Sequence, residues 1–396
     1  MRDYRYALAP TSQLFFCGVP FRLDVKPKCG LNCLYCYAAT RGGRKTNANQ
    51  ILNIDWFRRK LETSLSNNYE GPNIISELLS NRFAIHLGGM SDPFADNLTE
   101  QTTRSLLSLL SSYKYPVIIS TKMPGKLLSC DLDKLSSIIQ VSICITDIQI
   151  QSILEPYSEN TISRLNNIKH LVDLGYNVVC RIQPIFPQLI DTIPLLVDLL
   201  AEAGCSHIIL EYLKLPNEKE AMDLSVLQST TGWDLPKFYN DNNANIIGRE
   251  HILPTRYRYN HLMPIKEYAN LKGISVSLAD YGLYHLSDIN CCCGVDKFNL
   301  DCQWNKGNFS YIIRNINDDL YFSYLLNFWH PEGTISRYVN SHSRLDENSF
   351  ITHLRNKWNR PGTANVPDSF LGVQYLGRKD ENGDCIYRNN SSNFRR

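Results

Sequence analysis

Three cysteines lie close together near the start of the chain, in the segment CGLNCLYCYA (29–38). Cys29, Cys33 and Cys36 are separated by three and then by two residues, so one short loop can present three thiolates to a common centre. Thiolates hold iron–sulfur clusters, usually in sets of four. A cubane held by only three of them leaves one iron with open coordination, which a catalytic metal needs. The alternative from spacing alone is a structural zinc site that borrows a distant fourth ligand.

The segments around this loop alternate between β-rich runs and amphipathic stretches. Strands are predicted at 21–25, 83–87, 116–121, 141–146, 177–185, 207–213 and 274–280, and helices at 56–65, 102–113, 131–139, 162–175, 192–204 and 263–273. Such alternation favours parallel strands covered by helices. The predicted fold class is therefore α/β, a partial (β/α)6-type barrel, with a doubly wound sheet as the competing architecture. The predicted divisions are an N-terminal segment (1–19), the barrel (20–282) with an irregular insertion (214–260), and a cysteine-containing C-terminal extension (283–396).

In both architectures, functional groups gather at the edge of the sheet where the strands end. The cysteine loop follows the first predicted strand, the segment 88–92 follows the second, and Lys122 follows the third. The sequence therefore predicts one site at this edge, built from three successive loops.

Composition narrows the classes of function. The chain of 396 residues has 41 Lys and Arg against 39 Asp and Glu, a balance without a global nucleic-acid signature. Basic and aromatic residues mix in 40–45, 56–60, 233–239 and 255–262, but solvated faces and amphipathic packing are favoured there over nucleic-acid binding. No run of apolar residues reaches membrane-spanning length, and the first ten residues carry no long apolar run. A cytoplasmic location with reduced thiols is expected.

The cysteine motif, with Tyr35 before its last cysteine, resembles the signature of the radical S-adenosylmethionine enzymes. Four later segments resemble, in order, segments of the spore-photoproduct-lyase-like branch of that superfamily: GGMSDPF (88–94), STK (120–122), LEPYSENTISRL (154–165) and RIQPIFP (181–187). Five segments in one order make the resemblance specific over about residues 20–213. It fades through the insertion and the C-terminal extension.

The resemblance implies a [4Fe–4S] cluster on Cys29, Cys33 and Cys36, with S-adenosylmethionine chelating the fourth iron. In this superfamily an electron from the cluster cleaves S-adenosylmethionine, and a 5′-deoxyadenosyl radical then takes a hydrogen atom from the substrate. The predicted function is a radical S-adenosylmethionine enzyme, lyase-like or modifying, acting on a nucleic acid base, a peptide or a small metabolite. A small electron-donor protein of the flavodoxin or ferredoxin type is expected as a partner. Nucleic acid is not favoured as a partner, and no membrane is expected.

The resemblance also implies residues around the cofactor. Gly88 and Gly89 match a glycine motif that lets the backbone approach the methionyl amine. Lys122 resembles a lysine that pairs with the methionyl carboxylate. Ser142, early in the fourth predicted strand, resembles a residue that bonds the ribose or carboxylate, and an inward structural serine is an equal alternative. The remaining cofactor-binding candidates are Tyr35, Ser91, Asp92 and Arg181.

Two charged groups are expected to be internal. Glu155 and Arg164 are predicted to form an ion pair that fixes the loop after the fourth strand. Arg181 lies on the fifth predicted strand and needs a partner if buried, either the cofactor carboxylate or Glu155.

A second group of cysteines lies in NCCCGVDKFNLDC (290–302), and it comprises Cys291, Cys292, Cys293 and Cys302. Three interpretations stay open: an auxiliary metal or cluster site, one thiol that donates hydrogen atoms in the active site, or buried thiols without chemistry. An auxiliary cluster would favour a peptide-modifying maturase. A non-catalytic zinc-binding module is the other alternative. Spore photoproduct lyase carries its hydrogen-donating cysteine between the cluster motif and the segment matched by 88–94. No cysteine lies there in this chain, so thymine-dimer repair is not expected.

Overall fold

The computed structural model describes residues 2–11, 13–36, 38, 49–132, 136–217, 224–300, 303–334, 350–363 and 365–389. The strands in these ranges are β1 (Arg2–Asp3), β2 (Leu8–Pro10), β3 (Phe21–Leu23), β4 (Gln50–Ile51), β5 (Ile85–Leu87), β6 (Val117–Thr121), β7 (Ser137–Ser142), β8 (Asn177–Ile185), β9 (His207–Tyr212), β10 (Leu215–Pro216), β11 (Asn245–Ile247), β12 (Glu250–Ile252), β13 (Ser275–Leu278), β14 (Asp319–Leu320), β15 (Gln374–Lys379) and β16 (Cys385–Arg388). The α-helices are α1 (Ile54–Leu65), α2 (Ile74–Ser80), α3 (Asn97–Ser112), α4 (Ile148–Leu154), α5 (Thr161–Asp173), α6 (Ile193–Glu202), α7 (Leu224–Thr231), α8 (Leu235–Asp241), α9 (Thr255–Leu271), α10 (Gln303–Lys306), α11 (Phe309–Asn315) and α12 (Phe350–Trp358).

The central sheet has eight strands in the order β13-β9-β8-β7-β6-β5-β3-β2. All its neighbours are parallel except β2 and β3, which are antiparallel. The seven parallel strands follow one another in chain order, so the sheet has no point where the winding reverses. A doubly wound sheet requires such a reversal. The prediction of a partial (β/α)6-type barrel is therefore confirmed.

Strand residues alternate between the two faces of this sheet. On β6, Val117 and Ile119 face outward and share a buried core with Leu106 and Leu110 of α3. Ile118 between them faces the interior of the barrel and belongs to a second, smaller core. The barrel therefore packs its helices on one face of the sheet and keeps the other face for the lumen.

The fourth predicted strand is wrong in position. The sequence placed a helix at 131–139 and a strand at 141–146, whereas β7 spans Ser137–Ser142 and residues 133–135 lie outside the described residues. Ile138 and Ile139 pair with Ile118 and Ile119 of β6. Because β7 is buried on both faces, its apolar run shows no alternation, and strand pairing decides its limits. Ser142 consequently ends its strand instead of lying early in it.

The ends of the chain and the insertion add further layers. The insertion contains α7, α8 and a small sheet in the order β10-β12-β11, and the C-terminal region forms another in the order β14-β16-β15. Phe16 packs against Phe370 with ring centroids 4.4 Å apart and the rings tilted by 42°, so the N-terminal segment contacts the C-terminal extension. The predicted divisions at 19/20 and 282/283 stay predictions. Within the described residues, no helix combines the length and apolar character needed to cross a bilayer.

Glycines at two positions adopt left-handed backbone angles for different reasons. Gly175 (φ +86°) ends α5, and an added Cβ would meet nothing within 4 Å. Gly88 (φ +87°) follows β5, and an added Cβ would lie 2.4 Å from the Ser120 carbonyl oxygen. Both substitutions to alanine carry a conformational cost, but only the one at Gly88 also forces a backbone overlap.

We expect Gly175→Ala to lower the free energy of unfolding by about 1–2 kcal/mol. Gly88→Ala should lower it by about 1–3 kcal/mol more, because the strand end must move away from Ser120. Urea denaturation of the two variants measures the difference. Equal losses would show that the close approach at Gly88 is not a structural constraint.

Candidate functional site

The cysteine loop follows β3 at the C-terminal edge of the barrel. The Cys36 amide donates to the Cys33 carbonyl (3.1 Å), and the Leu34 amide donates to the Leu154 carbonyl (3.0 Å), which ties the loop to the end of α4. The three thiols are free and partly exposed. Burial raises the pKa of Cys29 and of Cys33 to about 12. Their thiolate forms therefore need a nearby positive partner, which a bound metal supplies.

Three thiols on one loop form a donor set of the type that holds an iron–sulfur cluster. Within the described part of the chain, no three His, Cys, Asp or Glu side chains are placed to share one metal ion. A zinc site needs all its sulfurs at about 2.3 Å from one ion. A cubane spreads its thiolates over different irons, so wider spacing on one loop suits it.

The loop after β5 locks the cysteine loop to the end of β6. The Asp92 amide donates to the Cys29 sulfur (3.4 Å), and the Asp92 carboxylate accepts from the Lys122 amide (2.6 Å) and the Thr121 hydroxyl (3.0 Å). The Ser91 hydroxyl donates to the Lys26 carbonyl (2.7 Å). Ser91 and Asp92, predicted beside the cofactor, are both buried and use their side chains to position three loops.

Gly88 and Gly89 lie on the same rim. A side chain at Gly89 would meet its nearest neighbour, Arg22, only at 3.4 Å. The predicted approach of the methionyl amine to the Gly89 backbone stays a prediction. At Gly88 a side chain is excluded by the Ser120 carbonyl oxygen, and no ligand is needed to explain the glycine there.

A buried carboxylate joins the cysteine loop to the opposite strand ends. Glu155 accepts from Lys122 Nζ (3.0 Å), from Arg164 Nη2 and from the Tyr35 hydroxyl. The Lys122 ammonium also lies 5.5 Å from the centre of the Tyr35 ring. We call Tyr35, Lys122, Glu155 and Arg164 the Glu155 network. The predicted Glu155–Arg164 ion pair is confirmed, and Lys122 is a second partner.

The charges of this network stabilise one another. Burial alone would raise the pKa of Glu155, but Lys122 and Arg164 outweigh it and hold that pKa well below its usual range. Burial alone would lower the pKa of Lys122, but the attraction of Glu155 outweighs it and raises that pKa. Sequence analysis missed Cys144, whose sulfur lies 3.5 Å from the Tyr35 hydroxyl, because a lone cysteine in an apolar run gives no functional signal.

Arg181 pairs with a residue that the sequence did not indicate, and its contact with the cofactor carboxylate stays a prediction. Its Nη2 lies 3.1 Å from Glu211 on the neighbouring strand β9, and Lys214 binds the same carboxylate. The interpretation that Arg181 meets Glu155 is wrong, because Lys122 and Arg164 already bind Glu155. Ser142 is the register partner of Arg181, and its carbonyl accepts from Arg164 Nη1 (2.8 Å).

The inner face of the barrel changes character along the strands. Each strand has an apolar inward residue first and then polar or charged ones toward the rim: Ile118, Ser120 and Lys122 on β6 and just beyond it, Ile138, Gln140 and Ser142 on β7, Val179, Arg181 and Gln183 on β8, and Ile209 and Glu211 on β9. Ser120, Ser142 and Arg181 are partly exposed, although their outward neighbours are fully buried. The lumen is therefore open to solvent from the rim that carries the cysteine loop.

The second group of cysteines closes the other end of the lumen. Cys291, Cys293 and Val295 are buried against Ile118, Ile138, Val179 and Ile209, and we call this set the apolar floor. Cys292 is partly exposed, and its sulfur lies 3.8 Å from that of Cys293. Cys17 also packs against the apolar floor. The sequence did not indicate this contact, because Cys17 lies far from the second group of cysteines along the chain. Cys302 lies outside the described residues.

Two of the four basic and aromatic segments, 233–239 and 255–262, have side chains packed into the fold. Trp233 packs on Phe186 with centroids 5.4 Å apart, and Arg258 is buried 3.2 Å from Asp280. Segment 40–45 lies outside the described residues. These contacts support the interpretation of amphipathic packing at 233–239 and 255–262.

No protein-family model and no curated protein matches the chain. Among solved structures, a double mutant of spore photoproduct lyase with bound AdoMet and dinucleoside spore photoproduct is similar, with a TM-score of 0.50 and 15% identity over 65% of this chain and 76% of that one. The chain has the fold of spore photoproduct lyase. At 15% identity, the likeness establishes the fold alone. SuiB of Streptococcus suis bound to S-adenosylmethionine is more distant, with a TM-score of 0.42 and 13% identity over 68% of this chain and 52% of that one.

Glu155→Gln should lower the free energy of unfolding at pH 7 by about 3–5 kcal/mol, because it leaves Lys122 and Arg164 buried without their carboxylate. The pKa of Glu155 is lowered by folding, so its stabilisation is present above the ordinary carboxyl value of about 4.3 and is lost as the pH falls below it. The wild type should therefore lose more stability than the variant between pH 6 and pH 3 in urea denaturation.

Glu159→Gln is the matched control, since burial raises the pKa of Glu159 and its bonds go to Asn167 and the Gly125 amide. We expect a smaller loss and no such pH dependence. A loss below about 1 kcal/mol in Glu155→Gln would contradict the network's structural role.

Proposed function

We propose that the chain is a radical S-adenosylmethionine enzyme with a [4Fe–4S] cluster on Cys29, Cys33 and Cys36. The observation that carries this proposal is the placement of three free thiols after the first parallel strand of the barrel, at the solvent-reached rim. The fold likeness to spore photoproduct lyase supports it. When bound, the cluster supplies the electron that cleaves S-adenosylmethionine and starts hydrogen-atom abstraction.

The chain's own residues bind and orient the cofactor in this proposal. Lys122 offers its ammonium to the methionyl carboxylate, and Glu155 holds that ammonium in place from below. Gly89 leaves room for the methionyl amine, and Ser142 lies across the rim from it. Tyr35 is fixed by its hydrogen bond to Glu155, so its ring keeps one orientation beside the cofactor. Ser91 and Asp92 act by positioning these loops. Arg181 faces the lumen.

In this proposal the substrate enters the lumen. The reaction begins with abstraction of a hydrogen atom and is of a lyase or modifying type. The reductant is a small protein of the flavodoxin or ferredoxin type, which meets the partly exposed cysteine loop. A nucleic-acid partner is not favoured, since Trp233 and Arg258 are engaged in packing.

We expect the protein, reconstituted anaerobically with iron and sulfide, to release 5′-deoxyadenosine from S-adenosylmethionine after dithionite is added. Cys33→Ala should release none above background, because it removes a ligand from the cluster. Cys130→Ala is the control: that thiol lies far along the chain, after β6, and bonds the Lys126 carbonyl and Arg104. A protein that retains zinc and forms no cluster under these conditions would overturn the proposal in favour of a zinc-binding module.

Iron content separates the remaining alternative, a peptide-modifying maturase with an auxiliary cluster on the second group of cysteines. One cubane gives about four irons per chain and two give about eight. We favour one, because Cys291 and Cys293 are buried in the apolar floor. Cys292 alone among the three adjacent cysteines is partly exposed, so the hydrogen-donor alternative would involve this thiol in its protonated form.

A further inference from the structure

A second buried carboxylate lies on the side of the rim away from the cysteine loop. Glu211, near the end of β9, binds two cations: Arg181 Nη2 of β8 lies 3.1 Å from its Oε2, and Lys214 Nζ binds its other oxygen, Oε1. In the order of the sheet, β7, β6 and β5 separate these strands from β3, which leads into the cysteine loop. We call Arg181, Glu211 and Lys214 the Glu211 group.

Solvent reaches both cations of this group. The side chain of Arg181 is 22% exposed and that of Lys214 is 17% exposed, whereas the Glu211 side chain between them is only 8% exposed. Arg181 is an inward residue of β8, so its exposed surface opens into the lumen. A ligand that enters the lumen can therefore contact the cations of the group more readily than its carboxylate.

The two cations share a single carboxylate. Burial alone would lower the pKa of Lys214, but Glu211 outweighs it and raises that pKa, so the ammonium is charged at pH 7. Of the other carboxylates that raise the pKa of Lys214, Asp280 is matched by Arg258 at 3.2 Å, and Glu250 contributes least. The group itself thus carries one more positive charge than negative charge.

The Glu155 network has the same composition, since Lys122 and Arg164 share the Glu155 carboxylate. In the proposed function, the surplus positive charge of that network meets the methionyl carboxylate of the cofactor. The Glu211 group has an equal surplus at the ends of two other strands. A partly buried cation is stabilised when an anion approaches it, because the anion replaces the hydration that burial removes.

Neighbouring side chains orient the two cations. Arg181 Nε donates to Gln183 Oε1, so the partly exposed Gln183 offers only its amide hydrogens to a ligand. Lys214 Nζ lies 4.4 Å from the centre of the Tyr281 ring, which packs edge-on against Phe370 with centroids 4.7 Å apart. Because these contacts already fix both cations, little conformational entropy is lost when an anion binds.

We propose that Arg181 and Lys214 bind an anionic group of the substrate, a carboxylate or a phosphodiester, at the ends of β8 and β9. This inference rests on the proposed function and names the class of its substrate. Both groups carry one negative charge on two equivalent oxygens, which matches the surplus charge and lets one oxygen face each cation. The anion holds one end of the substrate on this side of the rim, and the remainder extends toward the cofactor.

The test measures binding of small anions to the reconstituted protein by saturation-transfer NMR, with S-adenosylmethionine in excess and no reductant. The probes are N-acetylglycine and dimethyl phosphate, and the neutral controls are N-acetylglycinamide and trimethyl phosphate. We expect at least one anion to bind about tenfold more tightly than its neutral counterpart. N-acetylglycine alone would indicate a carboxylate substrate, and dimethyl phosphate alone a phosphodiester.

Lys214→Met should weaken anion binding about tenfold, because it removes one charged donor. This variant leaves the Arg181–Glu211 pair intact and balanced, so it should fold. Lys237→Met is the matched control: Lys237 also binds a carboxylate, that of Asp241, but on the exposed surface of α8, and the variant should bind like the wild type. Glu211→Gln should bind the anions more tightly than the wild type, because they no longer compete with a carboxylate for the two cations.

The proposal is overturned if neither anion binds better than its neutral counterpart, or if Lys214→Met binds the anions as the wild type does. Displacement of the anions by S-adenosylmethionine also overturns it, because the two cations would then serve the cofactor carboxylate. Should Glu211→Gln fail to fold, Lys214→Met decides alone. Failure of 5′-deoxyadenosine release with intact, Lys214-dependent anion binding would sink the proposed function and leave this site in place.

Discussion

The site depends on one buried carboxylate that is surrounded by cations. Glu155 lies after α4, yet it receives Lys122 from the end of β6, Arg164 from α5 and the Tyr35 hydroxyl from the cysteine loop. None of these groups could be buried alone at acceptable cost, because an isolated charge in a protein interior loses its hydration. Together they fix the distance between the cysteine loop and the strand ends across the rim. The position of the thiols is thereby coupled to the position of the ammonium that would meet the cofactor.

The polarity of the lumen changes with distance from this network, and its zones have different roles. The apolar floor closes the barrel with Cys291 and Cys293, and the hydrogen-bonded side chains of His86, Ser120 and Gln140 lie above it. Charged groups are confined to the rim and to ion pairs such as Arg181–Glu211. In the described residues, two partly exposed thiols, Cys17 and Cys292, pack against the apolar floor at the end of the lumen away from the rim.

Local signals in the sequence predicted what is local in the structure. The spacing of Cys29, Cys33 and Cys36 and the alternation of strands and helices are properties of short segments, so the cysteine loop and the barrel could be predicted directly. Glu155 and Arg164 were paired correctly because they lie in one segment. Gln140 and Glu211 were missed, since each is an ordinary polar residue whose role appears only when register aligns the strands. The contact of Arg181 with Glu211 was missed for the same reason, because the register of β8 and β9 decides which residue of β9 lies beside Arg181. The shift of β7 from 141–146 to Ser137–Ser142, and the contact of Cys17 with a loop far along the chain, likewise depend on tertiary packing.

The central claim is that the three thiols of the rim hold a cluster with one iron open to S-adenosylmethionine. Mössbauer spectroscopy of protein reconstituted with ⁵⁷Fe tests this most directly, because it reports each iron separately. The account predicts a [4Fe–4S] spectrum in which about one iron in four changes its isomer shift when S-adenosylmethionine is added. A cluster whose spectrum is unchanged by S-adenosylmethionine, or a protein in which iron does not assemble into a cubane, would contradict it.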